Sequence, residues 1–124
     1  MLVINYNGNK PISNYFKYGV IGNNNVDIVR FVILKQQGYI DLTKSDKCEV
    51  RCLNENGEIL DSVEIDMSTI EERENMLFVD WKPSKNYTSL GKIEVCLAFS
   101  KDSDIWQTQL FTLKFMNGVC EEGD

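Results

Sequence analysis

One chemically versatile side chain is missing from this sequence: it contains no histidine. A Ser-His-Asp triad, a Cys-His dyad, an imidazole proton shuttle and a His-ligated zinc or haem are therefore excluded within this chain. Four cysteines remain for nucleophilic or metal chemistry: Cys48, Cys52, Cys96 and Cys120. Cys48 and Cys52 lie in CEVRC. On a strand they share one face about 13 Å apart, at roughly 3.3 Å per residue. A disulfide needs Cα atoms within about 7 Å, so this pair cannot bridge. CxxxC is also not the CxxC knuckle of a structural zinc site, and no second pair completes one. The cysteines read as small, buried apolar side chains. Cys120, in a polar tail, reads as free and exposed.

The carboxylates cluster at Glu58, Asp61, Glu64 and Asp66, then at Glu71, Glu72 and Glu74. Two carboxylates held about 5–9.5 Å apart can hydrolyse a glycosidic bond. Nothing in the spacing selects such a pair, and the cluster reads as a solvated acidic face. Asp102-Ser103-Asp104 begins like a calcium loop but lacks the glycine and terminal glutamate of one, so a hairpin tip is expected there. The glycines of Gly19-Val20-Ile21-Gly22 are followed by no Gly-Lys-Ser/Thr and form no phosphate-binding loop. No catalytic, cofactor-binding or metal-binding residue is assigned, and a non-enzymatic, cofactor-free protein is expected. Tyr15, Phe16 and Tyr18 stand apart from the other aromatics because they fall in a loop-like segment. They are the candidate contacts for a protein partner or a sugar ring.

The elements that position these residues are strands. Period-two alternation and β-branched and aromatic residues dominate. Strands are expected at residues 1–6 (MLVINY), 26–36 (VDIVRFVILKQ), 47–53 (KCEVRCL), 76–81 (MLFVDW), 92–99 (KIEVCLAF) and 105–115 (IWQTQLFTLKF), with a short edge element at 39–43 (YIDLT). Asn56-Gly57 marks a tight turn, after which 58–65 (EILDSVEI) is expected to return antiparallel. Residues 10–25 are expected as a long loop containing a short strand at 14–18. DMSTIEERE at 66–74 carries capping boxes at Ser68/Glu71 and Thr69/Glu72 and is the sole candidate for a helical turn. Lys82 to Leu90 reads as a loop. The expected fold is all-β: an antiparallel β-sandwich of about seven to eight strands.

At 124 residues the chain fits one domain, expected over 1–116 with a polar tail at 117–124. Thirteen basic against nineteen acidic residues leave a net charge of −6, which disfavours nucleic acid as a partner. No apolar run approaches the roughly 18 residues of a membrane helix, and the N-terminus lacks the basic and apolar regions of a signal peptide. Residence in the cytoplasm, or assembly from there, is expected.

The order of features resembles a known family. A polar loop (IGNNNVD) leads into an apolar strand (IVRFVIL), then a turn and Asp41-Leu42-Thr43. An alternating strand with an Asn-Gly hairpin follows, then a strand ending in Trp81 and a loop to Gly91. Lys92 to Phe99 come next, and Ile105-Trp106-Gln107-Thr108 opens the last strand. Over about residues 12–116 the chain is similar to the immunoglobulin-like N-terminal domain of phage baseplate upper proteins and related prophage tail-accessory proteins. The resemblance implies a structural assembly role in a tail or baseplate, a virion location, and other tail proteins as partners. Self-association is a further partner option. It carries over no catalytic residue. The alternative reading is a carbohydrate-binding sandwich that recognises host cell-wall glycan through Tyr15–Tyr18.

Overall fold

Strict alternation decides which residues meet. In KCEVRCL, Cys48, Val50 and Cys52 are buried while Lys47, Glu49, Arg51 and Leu53 look away from the core. The same rule buries Ile93, Val95, Leu97 and Phe99, and then Phe111, Leu113 and Phe115. The computed structural model describes residues 1–118, so Cys120 and the tail from 119 onward lie outside the described residues.

Thirteen strands occur among the described residues. In chain order they are β1 (Leu2–Asn7), β2 (Lys10–Pro11), β3 (Tyr15–Val20), β4 (Val29–Leu34), β5 (Gln36–Gln37), β6 (Ile40–Asp41) and β7 (Lys47–Leu53). There follow β8 (Val63–Ile65), β9 (Glu71–Arg73), β10 (Met76–Trp81), β11 (Lys92–Lys101), β12 (Asp104–Gln107) and β13 (Phe111–Met116). Five of them have only two or three residues, which leaves eight longer strands, in line with the expected number.

The strands form two main sheets. The first runs β2-β1-β4-β10-β9; the second runs β3-β13-β11-β7-β8, with β12 also paired to β11. A small β5-β6 hairpin stands beside them. The inward faces of the two sheets share one hydrophobic core, so the fold is the expected all-β sandwich. Phe31 of the first sheet meets Phe111 of the second edge-to-face at 6.2 Å, and Trp81 packs on Phe31 at 6.5 Å. Edge-to-face contacts of this kind stabilise beyond simple burial, by about 0.5–1.5 kcal/mol each.

The sheets are mixed rather than wholly antiparallel. β1 runs parallel to β4, with Ile4 opposite Phe31, and β3 runs parallel to β13, with Phe16 opposite Leu113. The chain therefore starts in the first sheet and crosses to the second through β2 and the residues before Tyr15. Local chemistry explains the other departures. The DMSTIEERE segment makes a 3-10 turn over Met67–Thr69, capped by Asp66, whose carboxylate accepts from the Ser68 N–H at 2.9 Å. The two expected capping boxes are not used, because Glu71 and Glu72 belong to β9. The 82–90 loop contains a short helix, α1 (Lys85–Thr88). The return from Asn56-Gly57 is only partly paired: Leu53 bridges to Ile59, and regular pairing resumes at Val63. Gly57 adopts a φ of +78° and closes a turn to the Asn54 carbonyl at 3.0 Å, while Asn54 Oδ1 accepts from the Asn56 and Glu58 amides.

The final strand is broken once. Gln107 opposes Ala98, but Phe111 opposes Val95, so one extra residue is accommodated between them as a bulge. Thr108 holds that bulge. Its N–H donates to the Leu97 carbonyl at 2.9 Å, and its Oγ1 accepts from the Leu97 N–H at 2.9 Å. The side chain thus stands in for a ladder carbonyl.

Candidate functional site

The aromatic triplet does not sit in a loop. Tyr15, Phe16 and Tyr18 lie on β3, the edge strand of the second sheet. The segment is extended because β13 pairs it: the Thr112 N–H donates to Asn14 O at 2.7 Å and the Ile21 N–H to Met116 O at 2.8 Å. Alternation then splits the triplet. Phe16 meets Phe111 edge-to-face at 5.5 Å, and Tyr18 is half-buried against the core. Tyr15 faces outward, 42% exposed. The three side chains form no common surface. Ser13 Oγ contacts both the N–H and the carbonyl of Tyr15, at 3.2 and 3.1 Å, which occupies part of this sheet edge.

The cysteines fall where alternation places them. Cys48 and Cys52 are core residues, and burial pushes both thiols up to about 12. Cys96 is buried on the opposite face of its sheet, and its thiol is also raised by burial. All three are free. Thiols held in the neutral form are poor nucleophiles and poor metal ligands.

Three of the seven carboxylates in the acidic cluster are committed to local structure. Glu72 pairs with Lys35 at 2.7 Å, Glu71 with Arg73 at 2.9 Å, and Asp66 caps its 3-10 turn. Hydrogen bonds from Ser68 hold the Asp66 carboxyl below the ordinary aspartate range. Among the described residues, no three His, Cys, Asp or Glu side chains gather as a metal site. Asp102 takes a φ of +54° at the tip between β11 and β12, as expected of a hairpin.

Three surface features emerge that the sequence reading missed. The first is the outer face of the first sheet. Register places Val32 opposite Phe78 and Leu34 opposite Met76, with Asn5 beyond Val32. Val32 is buried, Phe78 and Met76 are half-buried and Leu34 is exposed, so an apolar stripe on the outer face of the sheet opens to solvent at its Leu34 end. Arginines frame it. The Arg73 guanidinium lies 4.3 Å from the Phe78 ring centre and that of Arg30 lies 5.8 Å away. Arg30 is fixed by a two-pronged bond to Asp80 at 2.7 and 2.9 Å. The available signal was the unbroken apolar run FVIL, Phe31 to Leu34. A strand that is apolar at every second and every intervening position has two apolar faces, and only one faces the core.

The second feature is a groove of about 660 Å³ on the outer face of the second sheet. Ile59 and Leu60 wall one side, Leu110 the other, and Cys96 and Arg51 line it between them. The third is a cleft of about 550 Å³ between the β5-β6 hairpin and the β11-β12 hairpin. Trp106 and Tyr39 line it together with Asp41, Lys44, Lys101 and Asp104. Neither was legible in sequence, since each needs loops far apart in the chain to meet.

Comparison with protein-family models and with curated proteins gives no match for this chain.

Proposed function

We propose that this chain is a non-enzymatic protein-docking sandwich, serving as an immunoglobulin-like assembly module of a phage or prophage tail baseplate. Neighbouring tail proteins are its partners, and the assembled virion is its location. The observation that carries the docking role is the stripe of Val32, Leu34, Met76 and Phe78 across the outer face of the first sheet. Its make-up is that of an interface centre: an aromatic ring, a methionine and arginines on one sheet face. Isolated exposed apolar residues need no explanation, but a contiguous stripe calls for a partner. The charges at its margin are already paired with each other, so covering it strands no ion.

The tail assignment rests on the ordered motifs: IGNNNVD before an apolar strand, Asp41-Leu42-Thr43, and Trp106-Gln107-Thr108 leading into the last strand. An all-β sandwich is the architecture that this resemblance implies. Quantitative mass spectrometry of tail particles purified from the source strain tests it. The expected result is a fixed ratio of this chain to the other tail proteins. Expression in the cell with absence from intact particles would overturn it.

A further inference from the structure

The cleft between the two hairpins has a composition that fits one class of ligand. Its aromatic groups come from different elements. Trp106 of β12 packs on the buried Phe99 at 6.3 Å and is half-buried. Tyr39, at the tip of the β5-β6 hairpin, is fully exposed with no packing of its own to explain it. The segment that follows the β5-β6 hairpin is held to β11: the Asp46 N–H donates to Ser100 O at 2.8 Å, and the Asp102 N–H to Asp46 Oδ2 at 3.3 Å.

Four charged side chains share it: Asp41, Lys44, Lys101 and Asp104. Lys44, Lys101 and Asp104 have no ion-pair partner among the described residues. Asp41 uses Oδ1 to accept from the Thr43 hydroxyl and N–H, which leaves Oδ2 free. Two acids and two bases make the cleft electrically balanced. An anion would meet the carboxylates and a cation the ammonium groups. An apolar peptide segment would strip water from all four charges without replacing its hydrogen bonds. A polyol satisfies both signs, since each hydroxyl donates and accepts. Its C–H faces can lie against the indole and phenol rings.

We propose that this cleft binds a neutral saccharide. The volume, about 550 Å³, lies in the range of small-molecule sites. This places a sugar site away from Tyr15, Phe16 and Tyr18, and it does not depend on the docking face, which belongs to the other sheet. Trp81 is buried and Trp106 is not, so acrylamide quenching of tryptophan fluorescence reports on the cleft directly. Chitotriose and maltotriose are suitable probes at millimolar concentration, with backbone amide shifts followed by NMR on the same samples. At least one trisaccharide is expected to shield Trp106 and to shift amides within residues 39–45 and 101–106. Tyr39→Ala, at a side chain too exposed to support the fold, is expected to weaken that binding about fivefold, the size of one lost aromatic contact. Failure of both sugars to shield Trp106 would overturn the proposal. So would wild-type affinity in the Tyr39→Ala protein, or amide shifts confined to another surface.

Discussion

Thr108 shows how much one side chain can hold. At a bulge the ladder loses a carbonyl, and the Thr108 hydroxyl accepts the Leu97 N–H in its place while itself buried. Thr108→Val keeps the shape and removes the acceptor, leaving a buried N–H unpaired. A loss of about 1–3 kcal/mol is expected in urea denaturation, and Thr108→Ser should retain most of the stability. The sequence marked Trp106-Gln107-Thr108 as a step into the last strand, but not why a hydroxyl stands there. That reason depends on a register offset visible only once β11 is alongside. The cysteines were more legible, because period-two spacing alone puts Cys48 and Cys52 inside. Their raised thiols make a pH prediction. The fold keeps both protonated, whereas the unfolded chain ionises them near pH 8.5. Their contribution is intact below that pH and is lost as pH rises toward about 12. Each thiol should cost about 1.4 kcal/mol per pH unit across that window. Denaturation midpoints at pH 7 and pH 10 check this, and Cys48→Val should flatten the slope.

Among the elements, those with a self-contained pattern were readable and those made by pairing were not. KCEVRCL and MLFVDW coincide with β7 and β10 to the residue. YFKYGV, by contrast, alternates weakly and contains a glycine, so only a short strand at 14–18 was expected there, and it runs on to Val20 as β3 because β13 offers it a parallel edge. The glycine is required there. Gly19 has a φ of +82°, and an added Cβ would lie 3.0 Å from Asp27 Oδ2 and 3.3 Å from Phe115 Cδ1. Asp27 cannot swing aside freely, since Asn23 Nδ2 donates to it at 2.9 Å. Gly19→Ala is therefore expected to destabilise by about 1–2 kcal/mol from backbone conformation alone, with crowding added. Thermal unfolding would show it, and amide exchange should rise first in β3 and at Met116. Gly57→Ala, in open space at a similar φ, separates the two effects because it has the conformational cost without the crowding.

For the whole molecule, the question is which face is left for a partner. The outer face of the first sheet offers an apolar stripe, and the second sheet offers a groove instead. Phe78→Glu puts a carboxylate between two guanidinium groups that already have acidic partners, in the middle of the stripe. The chain should fold, with unchanged circular dichroism, and lose at least tenfold in affinity for its docking neighbour, as expected of a central anchor. Retained incorporation of this variant into particles would remove the stripe from the assembly reading. The stripe escaped the sequence reading for a physical reason. A residue in a continuous apolar run is core or interface according to what lies across from it, and that information is in the topology. The all-β architecture was legible because turn signals and alternation recur along the chain, and it needed no knowledge of which strands pair.

The parallel pairing of β3 with β13 also bears on how the molecule carries load. Neighbouring residues run the same way, with Thr112 beside Tyr15 and Met116 beside Val20. Tension applied at Tyr15, the start of β3, and at Met116, the end of β13, loads the pair from opposite ends. The strands are then pulled past each other lengthwise. Every cross-strand bond is strained together rather than peeled one after another, so rupture needs a larger force. Forced unfolding is governed by that barrier rather than by equilibrium stability. In single-molecule stretching, Lys17→Pro should lower the rupture force more than it lowers the melting temperature. In the proposed assembly role, such a module acts as a tether as much as an adhesive.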